Sequence, residues 1–89
     1  MSDITTTLEA RGKTYGSFAG HAQISQQLKE IVKTSPAYPQ MTDAEREALD
    51  MIMHKIGRIC NGNPHYADSW HDIAGYATLV ERQLNENQL

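Results

Sequence analysis

Eighty-nine residues with a formal net charge of −3, of which 39% are hydrophobic and 21% charged, are enough for one small domain and no second one. The acidic balance excludes a general nucleic-acid binder, which presents a basic face, and no apolar run reaches the length of a membrane span. One cysteine, Cys60, leaves no intrachain disulfide and suits a reducing cytoplasm; it reads as a small buried residue near a helix end.

Residues 1–8 are polar and Thr-rich, and are expected to fray. The stretch LEARGKTYGSFAGH places Gly12, Gly16 and Gly20 around Arg11, Tyr15 and Phe18. It reads either as a glycine-broken loop whose aromatics cap the core, or as one wall of an anion pocket offering cations, aromatics and backbone N–H groups together. The first main helix is predicted near 20–34, from Ala22, Ile24, Leu28, Ile31 and Val32 at three- and four-residue steps. Pro36 and Pro39 then force an extended or turning linker.

A capping box, Thr42 with Glu45, opens the second helix over 42–60. Leu49, Ile52, Met53, Ile56, Ile59 and Cys60 form its apolar stripe, while Glu47, His54 and Arg58 fall on the opposite side with Lys55 flanking. Asn61-Gly62 is expected to stop it with a left-handed glycine. Asp68 or Ser69 is expected to cap the last helix, 68–85, whose inner stripe is Trp70, Ile73, Ala74, Ala77, Val80 and Leu84. Its other side aligns Asp68, Asp72, Gly75 and Leu79, with His71 and Tyr76 at the margins. A glycine costs a helix about 1 kcal/mol against alanine, so Gly75 suggests close packing on that side. Residues 85–89 read as a second frayed tail. The chain is thus a single all-α domain over 1–89, a small three- to four-helix bundle. Such a short chain buries only roughly 60–65% of its extendable surface, so a homo-oligomer is expected, with the Gly75–Leu79 side in its interface.

The charged residues leave several readings open. Asp68 and Asp72 lie one turn apart, able to reach one cation or simply to serve the helix start. His54, Lys55 and Arg58 suit a solvated face, a salt-bridged seam with those aspartates, or a phosphate site in which Arg supplies a fork and Lys a point charge. The four histidines and Cys60 lack zinc spacing. There is no nucleophile elbow, Walker loop or dinucleotide fingerprint.

Three motifs carry a resemblance: R-x-x-x-Y-G-x-F (Arg11, Tyr15, Gly16, Phe18), H-K-I-x-R-I-x-x-G from His54, and D-x-W-x-D-I-A-G-Y from Asp68. Over most of residues 9–80 the chain resembles a group of small phage and prophage proteins. That group in turn looks like a shortened relative of the MazG-like all-α nucleoside triphosphate pyrophosphohydrolases. In those enzymes E-E-x-x-E and E-E-x-x-D on successive helices bind the magnesium that holds the triphosphate. Here His54-Lys55-x-x-Arg58 and Asp68-Ser69-x-x-Asp72 fall on those positions, so of Lys55, Arg58, Ser69 and Asp72 only the last keeps its acid. Lysine and arginine repel a metal and attract phosphate.

The resulting expectation is a cytoplasmic phage-type binder, in a bacterial host cell, of a nucleotide or nucleotide-derived signal. It would sequester an anionic small molecule as a counter-defence, without a cofactor. Its ligand-binding residues are Arg11, Tyr15, His54, Lys55, Arg58, Trp70, Asp72 and Tyr76. The alternative is a Mg²⁺-dependent pyrophosphohydrolase using Asp68, Asp72, Glu47 and Asp50, with Asp68 and Asp72 on the metal. A protein-binding adaptor with a merely structural charged seam is a further one.

Overall fold

A computed structural model describes residues 3–87. The protein is all-α: α1 (Ile4–Tyr15), α2 (Phe18–Lys33), α3 (Asp43–Asn61) and α4 (Ala67–Asn87), with one 3₁₀ turn at Tyr38–Gln40 and no strand among the described residues. Three of these helices start at a side-chain oxygen. Asp3 accepts from the Thr6 N–H at 2.9 Å, Ser17 from the Gly20 N–H at 3.1 Å, and Thr42 from the Glu45 N–H at 3.1 Å. Glu45 returns the favour to the Thr42 N–H at 2.7 Å, completing the expected capping box.

The first helix departs from the sequence expectation. Where a polar tail and a glycine-broken loop were anticipated, residues 4–15 are helical and capped, and Gly12 sits inside α1 with open space around it. One internal glycine weakens a helix without breaking it. The true break is Gly16, whose φ of +78° is the single positive value among the described residues. Of the two expected tails, residues 4–8 and 85–87 are helical, and residues 1, 2, 88 and 89 lie outside the described residues.

Two predicted terminators also act differently. Gly62 follows α3, but its φ of −131° is not left-handed. It is glycine because the backbone of Thr14 and Tyr15 occupies the place of a Cβ, and the neighbouring Asn63 N–H donates to the Thr14 carbonyl at 2.7 Å. At the start of α4, neither Asp68 nor Ser69 is the cap. The helix begins at Ala67, Asp68 is in its first turn, and Ser69 is buried with its N–H on the Tyr66 carbonyl.

α3 is the central element, with α2 and α4 packed along it. The buried positions are mostly small: Ala48 and Gly57 on α3, Ser25 on α2 and Ser69 on α4, joined by Met53, Ile59 and His21. Small contact residues let helix backbones approach closely, and Met53 and Ile59 supply the apolar bulk. Because α3 is flanked by two helices, its burial follows two contact lines instead of the one predicted stripe. Cys60, one residue before the C-terminal end of α3, is exposed, contrary to expectation. Trp70, Ala74, Ala77 and Leu84 of the predicted inner stripe of α4 are likewise exposed, as is Ile31 of α2.

The chain is elongated, with extents of 50 × 26 × 24 Å and a radius of gyration of 15.4 Å, against about 12 Å for a compact domain of this length. Among the described residues no helix is long and apolar enough to cross a membrane.

Candidate functional site

The α1–α2 corner is tied to the C-terminal end of α3 by one side chain. Asn61 donates from Nδ2 to the Tyr15 carbonyl at 2.9 Å and to the Ser17 carbonyl at 2.8 Å. The Ser17 carbonyl also accepts the first bond of α2, from the His21 N–H at 3.1 Å, so Asn61 adds a second donor there. The Asn61 bonds also set the side chains of α1 against those of α3.

Between the three helices lies a pocket of about 530 Å³. Leu8, Arg11, Gly12 and Tyr15 line it from α1, Gly16 and Ser17 from the turn, Phe18 and His21 from α2, and His54 and Arg58 from α3. The Arg58 guanidinium carbon is 4.1 Å from the Tyr15 ring centroid and that of Arg11 is 5.6 Å from it. The ring therefore holds two like charges near one another through its quadrupole. On its own edge it meets Tyr66, 6.0 Å between centroids.

Among the described residues no carboxylate lines this pocket. Two guanidiniums and two imidazoles face it in a chain whose net charge is negative. Guanidiniums with fixed stems and free N–H edges match planar or tetrahedral oxyanions, and carboxylate or phosphate are the groups they bind bidentately. Phe18 stands 81% exposed at the rim, its ring tilted toward His21 at 6.2 Å between centroids with most of its apolar surface open.

The two histidines form the floor. His21 is buried, and its Nε2 meets the His54 main-chain carbonyl oxygen at 2.9 Å. A carbonyl only accepts, so Nε2 of His21 carries the proton and donates. Gly57 leaves room for that ring, since a Cβ there would run into it. The His54 ring stands edge-on to His21, 4.4 Å between centroids. Burial, and then the charges of His21, Arg58, Lys55 and Lys29, push the His54 pKa down to about 4, so it is neutral at pH 7.

The α3–α4 seam is built differently. Lys55 Nζ and Asp72 Oδ2 lie 2.9 Å apart, with side chains 12% and 32% exposed. The hydrogen bond and charge of Lys55 hold the Asp72 carboxyl below the usual carboxylate range. Among the described residues this is the one ion pair, so Arg58 pairs with neither Asp68 nor Asp72.

Of the residues singled out in the sequence, the fold brings Arg11, Tyr15, His54 and Arg58 together. It sets the others apart. Lys55 and Asp72 neutralise each other in the seam. Trp70 donates its Nε1–H to the Pro64 carbonyl at 2.9 Å and is 55% exposed. Tyr76 is half-buried on α4 near Ala44, Glu47 and Ala48 of α3, apart from this pocket. Phe18 belongs to the glycine-flanked wall expected from the sequence, whereas His21 and Asn61 are site residues that the sequence reading misses. Phe18 closes the R-x-x-x-Y-G-x-F motif and His21 follows it by three residues on one helix face, a spacing that was available. Asn61 acts through contacts 44 and 46 residues away in the chain, which no local pattern signals.

The acids of the hydrolase alternative do not converge. Asp72 is engaged by Lys55, Glu47 and Asp68 are exposed, and among the described residues no three His, Cys, Asp or Glu side chains gather to hold a metal ion. Residues 3–84 match the family described as a domain of unknown function, DUF6378. No curated protein and no solved structure matches the chain.

Proposed function

We propose that this chain, which belongs to the DUF6378 family, binds a nucleotide or nucleotide-derived anion and holds it without turning it over. The observation that carries this reading is the convergence of Arg11 and Arg58 on one aromatic ring, in a pocket without a carboxylate among the described residues. Arg58, with Arg11 beside it, takes the phosphate. The exposed ring of Phe18 takes the base by stacking, and neutral His54 and the Nδ1 edge of His21 offer hydrogen bonds to polar atoms between them.

The resemblance to small phage proteins supplies the setting: a protein in the cytoplasm of a bacterial host that withdraws a nucleotide signal from a defence pathway. Cations at the positions of the MazG-like acids support binding over hydrolysis, as does the engagement of Asp72 by Lys55.

Native mass spectrometry of protein purified from cells, followed by calorimetric titration with nucleoside mono-, di- and triphosphates and with inorganic phosphate, tests the reading. A retained nucleotide, or saturable binding stronger for nucleotides than for phosphate, is expected. Phe18→Ala should weaken nucleotide binding by about 1–3 kcal/mol, the worth of one base stacked on an aromatic, and leave phosphate binding alone. Absence of binding across the series overturns the proposal. Mg²⁺-dependent release of pyrophosphate, lost in Asp72→Ala, would establish the hydrolase instead.

A further inference from the structure

One flank of α4, beside its contact with α3, carries an open glycine and an exposed leucine. A Cβ built on Gly75 would meet nothing within 4 Å, so the glycine weakens the helix with no intrachain reason. Beside it Leu79 is 61% exposed, and a hollow of about 640 Å³ runs along this one helix from His71 to Arg82. The positions on this side, Asp68, Asp72, Gly75, Leu79, Arg82 and Glu86, step by four, three, four, three and four residues. That alternation keeps the six on one helix face, with Leu79 the one large apolar side chain among them.

This face is complementary to itself in one direction only. A parallel copy sets Asp72 against Asp72, Arg82 against Arg82, and Gly75 against Gly75. An antiparallel copy, related by a two-fold axis at the level of residue 77, sets Asp72 against Arg82 and Gly75 against Leu79, twice each. The acids Asp68 and Glu86 then meet at the wet outer ends, where solvent and salt screen them. Arg82 makes no ion pair among the described residues, and Asp72 spends Oδ2 on Lys55, leaving Oδ1 free to accept.

The surface area also calls for a partner. The chain exposes 6500 Å², against about 5,200 Å² for a folded monomer of this mass. The excess is larger than the ~800 Å² that each partner gives to a standard interface.

We infer that α4 pairs antiparallel with α4 of a second copy, Leu79 of each seated over Gly75 of the other and Arg82 of each facing Asp72 of the other. The pairing uses the side of α4 remote from the Arg11–Arg58 pocket, so it stands whether or not that pocket binds a nucleotide.

Sedimentation equilibrium of the full chain tests this. The wild type should sediment at twice the 10.0 kDa chain mass at micromolar concentration. Gly75→Met fills the hollow and Arg82→Glu sets acid against acid. Each should weaken the dimer by roughly tenfold or more, with the helical circular dichroism of Gly75→Met undiminished because its side chain enters open space. A wild type that stays monomeric to about 100 μM, well above the Kd of a stable dimer, overturns the inference. So does a dimer indifferent to both substitutions, and so does one dissociated by Leu84→Glu alone, which would place the contact in the apolar groove between α3 and α4.

Discussion

Two charged regions sit a few residues apart on α3 and are treated in opposite ways by the fold. On the side facing α4, Lys55 meets Asp72 at 2.9 Å and the charges cancel. On the side facing α1 and α2, Arg58 and Arg11 gather on Tyr15 and no acid among the described residues answers them. A cancelled pair holds two helices in register. An uncancelled cluster costs the free protein electrostatic energy that an arriving anion recovers. The difference separates a structural contact from a candidate site more clearly than the residue types do, because lysine and arginine one turn apart look alike in sequence.

The sharpest break of this comparison substitutes one residue on each side. Arg58→Ala should cost roughly 1.5–3 kcal/mol of anion binding, the worth of a charge-assisted hydrogen bond, with Arg58→Lys recovering only part because the fork is lost. Its effect on stability should be smaller, about 0.5–1 kcal/mol for the stacking on Tyr15. Lys55→Met should do the reverse, lowering Tm while leaving affinity nearly intact. Titration calorimetry and thermal melts on both variants read the contrast. Loss of stability without loss of affinity in Arg58→Ala would remove this residue from the site.

Asn61→Ala should affect both quantities. It removes two hydrogen bonds that clamp the Tyr15–Ser17 turn to α3, for about 1–2 kcal/mol of stability. Affinity should fall with it, since the clamp sets α1 against the pocket. Hydrogen exchange should show faster amides in α1 while those of α3 keep their protection. An unchanged α1 would mean that other contacts hold the corner.

The smallest expected effect is that of pH. The fold keeps His54 neutral down to about pH 4, whereas an unfolded histidine titrates near 6.5. Between those values the unfolded chain binds a proton that the folded chain refuses. The His54 contribution therefore leaves stability unaffected above about pH 6.5 and lowers it as pH falls through the window. From pH 7 to 5 the loss should be about 1 kcal/mol, reduced from the ideal linkage value because solvent still reaches the ring. Urea midpoints at the two pH values, with His54→Gln as the variant that loses the dependence, check it. A bound anion beside His54 should raise its pKa, which NMR titration of the ring protons follows.

The sequence by itself determined the all-α class, the capping box at Thr42, and the positions of α2, α3 and α4 to within a few residues. Those features rest on local periodicity and on hydrogen bonds between residues three or four apart. It also singled out Arg11, Tyr15, His54 and Arg58, which the fold gathers at one pocket. Only the tertiary structure decided that Lys55 belongs to the seam and Arg58 to the pocket, for they differ in which neighbouring helix they face. The same holds for Gly62, read as a left-handed stop and placed by the close passage of α1. In each case the deciding atoms come from a helix distant in the chain, and a local pattern carries no information about which helix will lie alongside.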